Sequence, residues 1–165
     1  MSVPDETNVL VAFARAAAKA QRIEVLFQEL LLAAELAQDT RNRPFEEIRS
    51  KIEREPLGRL TGRFLDIAQR LVTDPRHSQF WNEINDERIF LMHKFFNAFD
   101  VVSTSKNIGE AAQRLDKMNR LFDRGCWMVE TIHEKTVATY DIPPDRLREF
   151  LAFVAETRKN QQTSE

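Results

Sequence analysis

Proline placement constrains this chain most. The six prolines fall at Pro4, Pro44, Pro56, Pro75 and the pair Pro143-Pro144. Between them lie two long proline-free stretches, 5–43 and 76–142. Proline is tolerated in a helix's first turn but breaks its interior, so each mark reads as the opening of a helix. Only four glycines occur and strand-type alternation is absent, so the whole chain reads as helix.

The spacing of apolar residues gives the elements. The first helix is predicted from Asp5 or Thr7 to Leu36. Val9, Ala12, Phe13, Ala16, Ala20, Ile23, Phe27, Leu30, Leu31 and Ala34 form its stripe. At about 1.5 Å per residue it is a rod of roughly 45 Å, with Val25, Leu32 and Leu36 on a second face. A short helix follows from Pro44 to Glu53. A third runs from Pro56 to Val72, with Leu57, Leu60, Phe64, Ile67, Ala68 and Leu71 inward. A fourth spans Pro75 to Val102. The fifth, capped by Ser105 or Asn107, runs to Thr139 through Gly125. The sixth opens at Pro143-Pro144 and carries Leu147, Phe150, Leu151, Phe153 and Val154. The prediction is an all-α antiparallel bundle of four long and two short helices. It forms a single domain over 1–156, with a disordered polar tail at 157–165.

Composition narrows the function classes. The net charge is −2, without the basic excess of a dedicated duplex-DNA binder. Cys126 is the one cysteine, which fits a reducing compartment and permits no internal disulfide or thiolate metal cluster. The start Met-Ser-Val-Pro-Asp-Glu-Thr has no signal-peptide pattern, and charge interrupts every apolar run short of a membrane span. A cytoplasmic protein without membrane attachment or cofactor is expected.

The fourth helix carries the position that stands out. On a helical wheel Phe80, Trp81, Ile84, Leu91, Met92, Phe95, Phe96 and Phe99 gather on one broad face, with Arg88 in their midst. A buried guanidinium stays charged and needs a carboxylate or a polar cleft. Glu24 and Glu35 flank the first helix's stripe and either would serve, Glu24 being preferred. His93 lies about 140° round from Arg88, where the apolar face gives way to Asn82, Asp86, Asn97 and Asp100. Phe90 interrupts the polar side, which suggests cover by a second subunit. As structural residues, Arg88 would form an ion pair and His93 a hydrogen bond.

The stretch Asn85-Asp86-Glu87-Arg88-Ile89-Phe90-Leu91-Met92-His93-Lys94-Phe95-Phe96 resembles the signature of the HEPN superfamily. In that superfamily an arginine is followed four to six residues later by a histidine, late in a small α-bundle. Many members are metal-independent ribonucleases of toxin or abortive-infection type, working as dimers that join two motifs in one cleft. Others are catalytically silent binding or regulatory modules. The resemblance implies Arg88 as phosphate clamp and His93 as acid–base group, with Glu24, Asn85 and Asn97 in support. It also implies a homodimer, an RNA substrate, an antitoxin or other protein partner, and no metal. Ile89 departs from the pattern, since active members usually carry a polar residue after the arginine. The alternative is a dimeric helical interaction module in which Arg88 is structural.

Other motifs read more simply. Glu130-x-x-His133 has di-iron spacing, but no second copy accompanies it, so a solvated helix face is expected. Cys126 reads as a small apolar packing residue. Arg41, Arg43, Arg49, Lys51, Arg54, Arg59 and Arg63 are interleaved with Glu46, Glu47, Glu53 and Glu55. They read as a salt-bridged face, and as the first place to seek auxiliary RNA contacts.

Overall fold

A computed structural model describes residues 5–71, 76–99 and 107–162 of the chain. Seven helices and no strand occur among the described residues: α1 (Glu6–Gln38), α2 (Phe45–Glu53), α3 (Leu57–Leu71), α4 (Arg76–His93), α5 (Phe95–Phe99), α6 (Ile108–Val137) and α7 (Pro144–Gln162). The all-α class read from the sequence holds.

Four of the described starts have a local cause. The Asp5 side chain accepts a hydrogen bond from Asn8 N at 2.8 Å, which caps α1. Pro44 directly precedes α2, Pro56 directly precedes α3, and Pro144 is the first residue of α7. A proline there gives up a donor that a first turn leaves unsatisfied anyway. Pro4, Pro75 and Ser105 lie outside the described residues. After α1 the chain turns at Asn42, whose φ of 57° is left-handed, a conformation asparagine tolerates better than most residues.

The chain divides into two compact units, residues 1–23 with 74–128 and residues 24–73 with 129–165, where the sequence suggested one domain. Helices α1 and α6 each supply residues to both. In the first unit, Val9, Ala16, Trp81, Ile84, Leu91, Phe95, Leu115, Met118 and Phe122 are buried. Gly125 sits inside α6 because space is short: a Cβ there would lie 2.6 Å from Ile84 Cδ1 and 2.9 Å from Ile23 Cδ1. Cys126 is buried nearby, its Sγ 3.7 Å from the Lys19 carbonyl.

In the second unit the core holds Phe27, Leu30, Leu31, Ile48, Ile52, Leu60, Phe64, Phe150 and Val154. The rings of Phe27 and Phe64 stack at 4.3 Å. The stripe predicted for the first helix is buried at eight of its ten positions, with Ala12 and Phe13 half-buried.

Three predicted details change. The single fourth helix is two, α4 and α5, with Lys94 between them. The Lys94 N–H still donates to the Phe90 carbonyl and the Ala98 N–H to that of Lys94, so the ladder passes through the irregularity. Met92 and Phe96, assigned inward, are exposed at 51% and 42%. The polar C-terminal segment is helical through Gln162, with the Thr157 hydroxyl donating to the Phe153 carbonyl. The α7 ladder extends past the last apolar contact because nothing in that segment breaks it.

Candidate functional site

Helix α4 carries Asn85, Arg88 and His93, and α5 carries Asn97 one turn beyond the histidine. Asn85 and Arg88 are half-buried, whereas His93 and Asn97 are exposed. Arg88 is engaged in interactions. Arg88 and His93 are five helical steps apart, a rise of about 7.5 Å and a rotation of about 140°. Two side chains so placed on one helix leave it in different directions. Glu24 is a half-buried residue of α1 assigned to the second unit, while α4 belongs to the first. Glu35, the other proposed carboxylate, is occupied: it accepts from Arg63 at 2.6 Å and Arg43 at 3.2 Å.

The surroundings of α4 are set by ion pairs and rings. Glu87 pairs with Arg114 of α6, whose guanidinium also stands 5.2 Å over the Phe90 ring. Phe90 is thus half-covered by its own unit. The Trp81 indole donates to His77 Nδ1 at 3.4 Å. On the outward side, Ile89, Met92 and Phe96 follow at steps of three and four, so they form one exposed apolar stripe. His93 and Asp86 border that stripe on the same flank, seven residues apart, and both are exposed. Phe96 is anchored at its inner edge by Phe13 of α1, centroid to centroid 4.6 Å.

A second guanidinium, Arg146, is enclosed more fully than Arg88. Arg146 is 6% exposed in the first turn of α7, one turn before the buried Phe150. It donates to Asp39 Oδ2 at 2.9 Å, to Asn42 Oδ1 at 3.1 Å and to the Arg43 carbonyl at 2.7 Å. Arg43 completes the network through Asp39 Oδ1 at 2.9 Å. The hydrogen bond from Arg43, reinforced by Arg146, holds the Asp39 carboxyl far below the usual range and outweighs the opposing effect of burial. An arginine four residues before a buried phenylalanine is the sequence signal for this site.

His133 also departs from expectation. It is buried at 8% exposure rather than on a solvated face, with Nε2 3.7 Å from Oε2 of the buried Glu29. Burial pushes its pKa down, Arg158 pushes the same way, and Glu134 and Glu130 oppose. The clue lies in the spacing: His133 continues the buried steps Phe122, Cys126 and Val129. Among the described residues no three His, Cys, Asp or Glu side chains gather as around a metal ion.

Within the basic run over α2 and α3, Arg49 and Arg63 are held by carboxylates. Arg49 bonds Glu53 at 2.8 Å and approaches Glu46 at 3.5 Å, and Arg63 takes Glu55 at 2.7 Å as well as Glu35. No helix among the described residues is long and apolar enough to cross a membrane. Comparison with known proteins returned no match to a protein family, a curated protein or a solved structure.

Proposed function

We propose that this chain is a helical association module that pairs with a second copy of itself through the outward face of α4 and α5. The observation that carries this reading is the exposed stripe Ile89, Met92 and Phe96. Each is already about half covered, so burying the remainder contributes on the order of 1 kcal/mol per side chain, which favours cover over exposure. The flanking charges favour a second copy as that cover. Asp86 and His93 stand two turns apart on one flank, so antiparallel pairing about a two-fold axis sets each Asp86 against the partner's His93. A surface of this kind is complementary to itself.

The test is molar mass by light scattering for wild type and the double variant Met92→Glu/Phe96→Glu. Both side chains are exposed, so the variant keeps its circular dichroism. Two copies for wild type and one for the variant support the module. One copy for wild type at all concentrations removes it.

A second reading, the metal-independent endoribonuclease implied by the HEPN resemblance, draws support from the exposure of His93 beside this stripe. Pairing across the stripe would bring two copies of His93 into one interface, with Arg88 near the half-buried side. There histidine would take a proton from the RNA 2′-hydroxyl, and arginine would stabilise charge on the phosphate. RNA cleavage in EDTA by wild type but not by folded His93→Ala would establish this chemistry. Cleavage by neither leaves the silent module.

A further inference from the structure

A groove of about 580 Å³ lies between α2 and α7 in the second unit, lined by residues that include Phe45, Arg49, Asp145, Glu149, Phe153 and Glu156. Its floor is aromatic, with Phe45 and Phe153 in edge contact at 6.3 Å. Above that floor the groove already holds one guanidinium. Arg49 stands 4.7 Å over the Phe153 ring, the geometry of a cation–π contact.

The lining leans acidic, with four carboxylates against three arginines, and Arg49 is already paired with Glu53 and Glu46. Two further arginines border the groove, Arg43 and Arg146, and both are committed to Asp39 beneath it. The exposed charges at the rim are carboxylates: Glu46, Asp145, Glu149 and Glu156. Residues 145, 149 and 156 follow at steps of four and seven, which places them within about 40° on one side of α7. Ala152 between them leaves the groove floor open. Flat aromatic rings below and carboxylates along the edge together match a planar cation better than a compact one.

We propose that this groove docks an arginine-bearing segment of a partner protein, with a guanidinium stacked on Phe153 beside the Phe45 ring and paired to Glu149 and Glu156. Arg49 occupies part of that position in the free protein and competes with the incoming side chain. The site is confined to the second unit and is independent of the α4–α5 face.

The probe is a fluorescently labelled hexa-arginine peptide, titrated against the full chain by anisotropy, with hexa-lysine beside it. Saturable binding is expected, several-fold tighter for arginine than for lysine. Phe153→Leu and the double variant Glu149→Gln/Glu156→Gln should each weaken it about tenfold. Glu83→Gln/Glu110→Gln removes the same charge from exposed positions of the first unit and should change binding less than about twofold. Arg49→Ala should tighten binding, whereas Arg59→Ala, an equal change of charge outside the groove, should not. The proposal is overturned by absence of binding, by equal losses in rim and control variants, or by a Phe153→Leu variant that binds as wild type does.

Discussion

Arg146 and Arg88 illustrate how one residue type takes two roles by position. Arg146 is enclosed and spends its donors on Asp39, Asn42 and a backbone carbonyl, so its removal takes one of the charged donors from the buried Asp39 carboxylate. Arg146→Met is expected to cost about 3 kcal/mol in urea unfolding at neutral pH. Arg88 is half-buried, so Arg88→Met should cost clearly less. An equal or larger loss at Arg88 would reverse the assignment of the structural arginine. His133 gives a pH prediction of definite sign. Its folded pKa lies below its ordinary 6.5, so the unfolded chain binds the proton more readily. The neutral ring's contribution is full above pH 6.5 and is lost as pH falls from there through the folded pKa. Glu134 and Glu130 limit the loss, and Arg158 adds to it. Wild type should therefore lose more stability than His133→Gln between about pH 7.5 and 5.5, measured by chemical denaturation. Parallel behaviour of the two proteins would show that His133 does not titrate differently on folding.

At the scale of the element, α6 shows packing overriding propensity. Glycine costs a helix interior about 1 kcal/mol relative to alanine, yet Gly125 stands in mid-helix. The compensating fact is the approach of two buried isoleucine termini to the space where a Cβ would lie. Alanine there gains helix propensity but forces Ile84 and Ile23 aside, and overpacking typically costs about 1–3 kcal/mol. Gly125→Ala should thus lose about 1 kcal/mol in thermal or urea unfolding, and Gly125→Val more than about 2 kcal/mol. A Gly125→Ala protein more stable than wild type would mean that the isoleucine ends yield freely. The break at Lys94 belongs to the same scale. Apolar and polar residues change sides near His93 while the backbone ladder persists, so the wheel alone does not reveal that α4 ends and α5 begins.

For the whole molecule, charge is organised as local neutralisation. The net charge is −2, and Arg43, Arg49, Arg63, Arg114 and Arg146 are each bound to carboxylates of their own unit. Strong non-specific binding to duplex DNA depends on many cations free to displace counterions. A gel-shift titration with a duplex of about 30 base pairs at about 150 mM salt should show no complex at micromolar protein. Retention there would mean that Arg41, Lys51, Arg54 and Arg59 act together as a phosphate-binding surface, a role their separation by glutamates argues against.

What the sequence determined by itself is local. Proline in first turns, the three- and four-residue recurrence of apolar side chains and the Asp5 cap act within a few residues of chain. They are therefore legible in the order of residues alone, as is the burial of Cys126. What tertiary structure decided was which exceptional side chains are enclosed. The wheel rule that an arginine on an apolar stripe is a structural ion pair is sound, but Arg146 satisfies it through Asp39, at a separation no local pattern encodes. His133 is buried close to Glu29, a residue distant in sequence. Met92 and Phe96 are exposed in part although they share the apolar side of their helices, Phe96 being covered only along its edge by Phe13. Periodicity states which residues share a face, but burial of that face depends on a neighbour supplied by a remote part of the chain, or by a second chain.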